Sequence, residues 1–517
     1  MDSATPPWAL WPQSVRLRIL HSLLTDGCSV AKLATVSREW QEAIEQHNFA
    51  RIKVTLPRLA SFRSMVRRNR SRVKYIWLCV ELDHYSSLES YSGHDRFVSS
   101  RDFSLFTKVI RGLFRELSRW EPSGELLLDI SIHSPSDSNY LLKYLTFKPD
   151  ISLDDCSSLD DVEDMEKAGR TWKEWSAAGK VDTAIKNTSR LIKLEDQSPD
   201  EEALDREIEW LDRLPDVPAV TGMLLRQQTR RRWCWDILTE FLDHFPNLQE
   251  VFYEPWRLPG RDSQDEADGG YDRIIEHLTR QGVRKLTIFE NHNRHYSRLF
   301  QEYKHARTFM PGSMHTRTFK ALNRTAALGS RELEHFSASF LVDAGLFFAS
   351  CKPSWTWPNL TSLTLTSPWL APNAQADLVK MLNSAAAVAC RMPKLQTVEL
   401  WNGRKRLATL FQYQLKPATI TWRSTWDFAL LRSIIPAWEG VAHKHGAGEL
   451  VVKTELLKRA NIKSHGDAIH YLRLSHPVVR PISLQQIRTE NKVHRIWEKM
   501  RTAKARKDVE GDWEVIN

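Results

Sequence analysis

The chain has 517 residues, 42% of them hydrophobic, and a formal net charge of +9. Its length suits two or more core-sized units or one extended repeat array, and its hydrophobic share is that of a globular protein. No apolar run reaches the length of a bilayer span and residues 1–9 lack the pattern of a signal peptide, so no membrane partner is expected and the setting is cytoplasmic or nuclear. Residues 10–54 read as three short helices. Pro12 opens the first, which carries Val15, Ile19 and Leu23 at i, i+4, i+8, with Leu17, Leu20 and Leu24 widening the stripe. Asp26-Gly27 ends it, Ser29 can cap a second helix with Val30, Leu33 and Ala34, and Ser37 can cap a third with Trp40 and Ile44 on one face. A unit this small cannot bury so much apolar surface alone.

This stretch resembles the F-box. Leu10, Pro12, Val15, Ile19, Leu20, Leu24, Leu33, Val36, Ser37 and Trp40 follow that family's leucine-proline start, apolar first helix and valine-serine-x-x-tryptophan opening of the last helix. It covers about a tenth of the chain, with Trp11 inserted and Gln13-Ser14 standing where an acidic residue is common. The resemblance implies that Leu10, Pro12, Val15, Ile19, Leu20, Leu24, Leu33, Val36 and Trp40 form an adaptor-binding face for a Skp-type protein, and through it a cullin. The alternative is an ordinary helical hairpin packed on its own domain.

Two basic clusters follow: Arg67, Arg68, Arg70, Arg72 and Lys74, then Arg226, Arg230, Arg231 and Arg232. The first interleaves with Leu59, Phe62, Met65 and Val66, as on the outer side of an amphipathic helix. Solvated helix faces are the simpler reading, and nucleic acid is not an expected partner. Between the clusters, Phe103, Phe106, Ile110, Leu113 and Leu117 share a helical face, and Leu126, Leu128, Ile130 and Ile132 alternate as a strand. Residues 150–166 hold eight carboxylates and no Lys or Arg, which predicts a loose acidic loop that could extend to Pro215.

The helix-then-strand order recurs, around Ile237–Leu242, Ile274–Leu278 and Leu378–Ala389. The strands share an apolar-x-x-apolar-x-apolar core: Val73-Ile76-Leu78, Leu127-Ile130-Ile132, Leu248-Val251-Tyr253, Val283-Leu286-Ile288, Leu333-Phe336-Ala338, Leu360-Leu363-Leu365, Leu395-Val398-Leu400 and Ile469-Leu472-Leu474. Three copies follow FPNL, WPNL or MPKL. The pattern resembles degenerate leucine-rich repeats, with spacings of 35, 50, 27 and 35 residues from Leu248 to Leu395 that require long loops. A non-repeating α/β domain is the alternative. Residues alternating with the core positions would face a concave surface. They are Phe252 and Glu254, Thr287 and Phe289, Thr364 and Thr366, and Glu399 and Trp401. Phe252, Glu254, Phe289, Thr364, Glu399 and Trp401 are the candidate substrate-binding residues; burial of the aromatics under long loops would remove that site.

From Trp355 onward the chain resembles an uncharacterised C-terminal region of fungal F-box proteins. The carrying segments are WPNLTSLTLTS (357–367), MPKLQTVELWNG (392–403), ITWRSTW (420–426), AWEGVAHKHG (437–446), SHGDAIHYLRL (464–474) and SLQQI (483–487). Trp401, Trp422, Trp426 and Trp438 read as core, and Asn402-Gly403 as a turn. Six scattered cysteines (Cys28, Cys79, Cys156, Cys234, Cys351, Cys390) form no C-x-x-C pair and suit free thiols in a reducing compartment. His292 and His295, and His443 and His445, lack the further ligands a metal needs. No phosphate loop, dinucleotide fingerprint or nucleophile motif is present, so no catalytic residue, metal or cofactor is expected and the protein is not read as an enzyme. The expected fold is α+β: an F-box (1–54), a leucine-rich-repeat-like α/β solenoid (55–490) with an acidic insertion at about 150–215, and a charged tail (491–517). The expected function is a substrate-recognition adaptor of a Skp–cullin–F-box ubiquitin ligase, holding an unknown target protein by its repeats. The alternative is a repeat scaffold for protein assembly unrelated to ubiquitin.

Overall fold

The computed structural model describes residues 8–25, 30–84, 100–122, 124–135, 148–151, 209–228, 233, 235–257, 261–292, 320–428, 431–492 and 495. Twelve strands form one open sheet in which spatial order follows chain order. The strands are β1 (Arg51–Val54), β2 (Tyr75–Glu81), β3 (Leu127–His133), β4 (Gly222–Leu225), β5 (Glu250–Tyr253), β6 (Lys285–Phe289), β7 (His335–Asp343), β8 (Ser362–Thr366), β9 (Thr397–Arg404), β10 (Leu407–Gln414), β11 (Thr419–Ser424) and β12 (Val451–Leu456). From β1 to β9 every pair is parallel. Strand β10 pairs antiparallel with β9 and β11, and β12 returns to parallel. Parallel strands buried on both faces need apolar side chains on both, which is why these runs are nearly continuously hydrophobic.

The first two helices, α1 (Gln13–Thr25) and α2 (Arg38–Ala50), lead into β1, and α3 (Leu56–Val66) follows it. Then come α4 (Ser100–Leu117), α5 (Trp235–Asp243), α6 (Arg261–Arg280), α7 (Lys320–Gly329), α8 (Ala344–Ser350), α9 (Gln375–Ala389), α10 (Ile435–Lys444) and α11 (His465–Leu472). Residues 481–492 are also helical and are called α12. Helices α3 to α10 share one core with one face of the sheet: Phe62, Phe114, Phe241, Ile275, Phe347, Leu382 and Trp438 pack with Ile76, Ile130, Val251, Leu286, Leu363 and Val398. Strand side chains of the other phase belong to separate clusters, Tyr75, Trp77, Leu224 and Phe252 in one, Phe289 and Trp401 in another. The strand pleat, with its period of two, sorts them this way.

The aromatic or Met of FPNL, WPNL and MPKL is buried each time, at Phe245, Trp357 and Met392. In two copies the same turn recurs: the Phe245 N–H bonds Leu242 O at 3.1 Å and the Leu248 N–H bonds Phe245 O at 3.0 Å, as the Met392 N–H bonds Ala389 O and the Leu395 N–H bonds Met392 O, both at 3.0 Å. Seven of the eight strand cores expected from the sequence lie in or lead into β2, β3 and β5 to β9. The eighth, Ile469-Leu472-Leu474, is instead helical through Leu472, because Ser464 caps the turn and its Oγ accepts from the Asp467 N–H at 3.1 Å. Asn402-Gly403 is not the turn either; both lie in β9, and the chain reverses at Lys405-Arg406, where Arg406 takes φ 65°. Both edges of the acidic insertion are packed: Asp150 is buried, and Trp210, Leu211 and Leu214 join the main core. Residues 152–208, like Asp26-Gly27, Ser29, Arg230–Arg232 and His295, lie outside the described residues.

Candidate functional site

At the N-terminus, Ser37 Oγ accepts from the Trp40 N–H at 3.3 Å and starts α2 as the sequence predicts. The segment before α2 is a short 3-10 turn, Ala31–Thr35, rather than a helix. Trp8 ties the unit together: its ring lies 5.3 Å from that of Trp40, and its Nε1 donates to Glu39 Oε2 at 3.0 Å. Arg16 adds an ion pair with Glu39 at 3.2 Å. Leu20, Val30 and Ile44 are buried. The remaining apolar residues turn outward: Leu10 is 73% exposed, Val36 60%, Leu17 49% and Leu33 36%. Four of the seven large hydrophobic side chains exposed among the described residues therefore fall within 27 consecutive positions. Of the candidate adaptor-binding residues, Leu10, Pro12, Leu33 and Val36 are exposed, Val15, Ile19, Leu24 and Trp40 are half-buried, and Leu20 is buried. So Leu20 supports the unit from inside rather than presenting itself.

The sheet face opposite the long helices is the expected concave surface. Cross-strand register lines up Trp77, Asp129, Leu224, Phe252, Thr287, Ser337, Thr364, Glu399 and Gln412 in one row. The alternation expected from the sequence thus puts Phe252, Thr287, Thr364 and Glu399 side by side. Their expected exposure is not found: Phe252, Glu254, Thr287, Phe289, Thr364, Thr366, Glu399 and Trp401 are all buried. What covers much of this row is the chain's own C-terminal strap, residues 457–492.

Polar residues of the sheet hold the strap. Glu399 Oε1 accepts from the Ser475 N–H at 2.7 Å and from Gln412 Nε2 at 2.8 Å, and Gln412 Nε2 also reaches Ser475 Oγ at 2.9 Å. Glu254 accepts from the Arg480 N–H at 2.7 Å, from Ser483 Oγ at 2.5 Å and from the Gln227 N–H at 3.1 Å. Gln227 Nε2 returns a bond to Ser483 O at 3.0 Å. The Arg480 guanidinium donates to Asp150 Oδ2 from Nε at 2.8 Å and lies 5.4 Å from the Phe252 ring centroid. Apolar contacts complete the seal, with Ile462, Ala468, Ile469, Leu472 and Ile487 packed on Phe289, Trp401, Ala408 and Leu410. Burial pushes the Glu254 carboxyl up to about 7, although three hydrogen bonds favour its charged form.

A second buried network sits at the β2–β4 end. Arg226, from the second basic cluster, is no solvated charge: it pairs with Asp129 at 2.5 Å with both side chains fully buried. Tyr75 Oη donates to the same carboxylate, and burial raises the Asp129 carboxyl despite Arg226 beside it. The first basic cluster is partly engaged too, Arg70 with Glu116 at 2.7 Å and Arg72 with Glu42 O at 2.9 Å. Cys79, Cys351 and Cys390 are free thiols. No group of three His, Cys, Asp or Glu side chains suited to a metal occurs among the described residues. Nor is any described helix long and apolar enough to cross a membrane. The strap was missed from sequence because its contacts reach far along the chain and its residues follow no strand period.

No curated protein matches the chain. Residues 278–480 match a family of unknown function (DUF6546), a span that runs from the end of α6 through β6 to β12 and on into the strap as far as Arg480.

Proposed function

We propose that the chain is a substrate-recruiting adaptor of the F-box type, docking a Skp-type protein of a cullin ubiquitin ligase through its N-terminal helices. The observation that carries this reading is the cluster of exposed Leu10, Leu17, Leu33 and Val36 on a unit whose inward residues are already packed. Contiguous exposed apolar patches mark docking faces, and four exposed side chains in one short segment supply the material for one. The leucine-proline start and the valine-serine-x-x-tryptophan pattern name the kind of partner. Its role would be proximity, with no bond chemistry of its own.

Leu10→Ala with Pro12→Ala tests the surface, since both residues are exposed and neither contributes to the core. Truncating hot spots costs at least about 2 kcal/mol, or roughly thirtyfold in affinity. Binding of the purified double variant to a Skp-type adaptor is the measurement; an unchanged dissociation constant in a folded variant would remove this face from consideration. The repeat-scaffold reading is favoured by one finding, the burial of the row expected to hold a target. Co-purification of cullin and of ubiquitinated proteins with the full chain decides between the two, because a scaffold unrelated to ubiquitin would bring neither.

A further inference from the structure

A small cleft opens where the β9–β10 hairpin meets the strap. Arg404 and Lys405 come from the hairpin, Lys463 and His465 from the start of α11, Arg495 from beyond α12, and His292 from the end of the β6 connection. Among the described residues, Ser464 and Asn491 complete the lining, so six of these eight side chains are basic or imidazole and none is a carboxylate. Arg404, Lys405 and Lys463 make no ion pair among the described residues. Asp467, in the first turn of α11, is already engaged, by Arg488 Nε at 3.2 Å and by the Lys463 N–H at 3.1 Å.

The floor is rigid. His292 and His465 are buried and stack with ring centroids 4.4 Å apart, and His465 Nε2 bonds Asn291 Oδ1 at 2.8 Å. The cleft lies at the N-terminal end of α11, where the helix dipole adds positive potential. Like charges converging without carboxylates are unfavourable unless an anion occupies the space between them. Arg495 Nε also donates to Asn491 O at 3.3 Å, and the cations of Arg404, Lys405, Lys463 and Arg495 converging on one cleft match the several oxygens of a phosphate group better than one carboxylate.

We propose that this cleft binds a small phosphate-bearing anion that bridges the hairpin and the strap. The site is independent of the N-terminal face and stands or falls separately from adaptor binding.

Inorganic tripolyphosphate, titrated calorimetrically into the full-length protein at fixed ionic strength, is the probe. One saturable site is expected. Lys463→Ala and Arg404→Ala should each weaken it roughly tenfold or more, the scale of losing one charge-assisted hydrogen bond. Lys405→Glu, on an exposed side chain, provides a second variant that leaves the core untouched. Arg67→Ala with Arg68→Ala, in the other basic cluster, should leave the affinity unchanged. Absence of saturable binding overturns the proposal, as does equal weakening by the Arg67/Arg68 control. Tighter binding of a single-stranded RNA than of tripolyphosphate would overturn it in favour of a nucleic-acid surface.

Discussion

Burial raises the Glu254 carboxyl to about 7 from an ordinary 4.5. A folded value above the unfolded one means that this group's stability is fully present below about pH 4.5 and is lost as pH rises through about 7. His335 runs the opposite way, since burial, then His476 and Lys285, lower its imidazole to about 3. Its contribution is present above pH 6.5 and declines as pH falls. Comparing wild type with Glu254→Gln cancels the histidine. Thermal melts from pH 5 to 8 should show wild type losing ground to the variant as pH rises, and a constant difference would contradict the assignment. Arg226→Met should cost about 3–5 kcal/mol in chemical denaturation, because it strands a buried Asp129, while Asp129→Leu with Arg226→Met should recover much of the loss. The alternation of β5, β6, β8 and β9 was legible in the sequence and put Phe252, Phe289, Thr364, Glu399 and Trp401 on one face. Their burial was not legible. The strap bonds of Glu399, Glu254 and Asp150 span 76, 226 and 330 residues along the chain, beyond the reach of any local pattern.

Among the elements, α11 packs on β9 and β10 closely enough to dictate sequence. A Cβ added at Gly403 would lie 2.5 Å from the Ala468 Cβ and 3.2 Å from the Trp401 ring. The Ala468 methyl cannot rotate aside, so Gly403→Ala should cost about 1–3 kcal/mol and loosen α11. Faster amide exchange confined to residues 464–472 is the expected signature; an unchanged melting temperature would mean that the contact gives way freely. This explains why Asn402-Gly403 misleads as a turn signal: the glycine answers a packing demand, not a conformational one. The parallel strands were legible because each combines an apolar core with a preceding helix. Strand β4 was missed although Val220, Met223 and Leu225 fit the same spacing, since residues 211–221 lead into it as turns and coil rather than as a helix. Strands β10 and β11 follow hairpin connections without a helix, and β12, with an exposed or half-buried pattern, carries little apolar signal.

Across the whole molecule, the sheet is sandwiched between the long helices on one face and, over its central and C-terminal strands, the strap on the other. Removing the strap by ending the chain after Leu456 should uncover Phe289, Trp401, Ala408 and Leu410 together. Such a contiguous apolar patch binds dyes and promotes association. Bound 8-anilinonaphthalene-sulfonate fluorescence well above that of the full chain is the expected result. A monomeric truncation with the melting temperature of the full chain would show that the strap is an accessory.

Strands β2 to β9 pair with their immediate predecessors, yet the strap bonds back across 226 residues to Glu254 and 330 to Asp150. During synthesis the sheet can therefore grow strand by strand, while the face that the strap covers stays bare. At about 5–20 residues per second, the interval between Phe289 and Ile487 leaves that face open for roughly 10–40 s. Every newborn copy passes through a state in which Phe289 and Glu254 are accessible to chaperones, a state that the finished chain has closed.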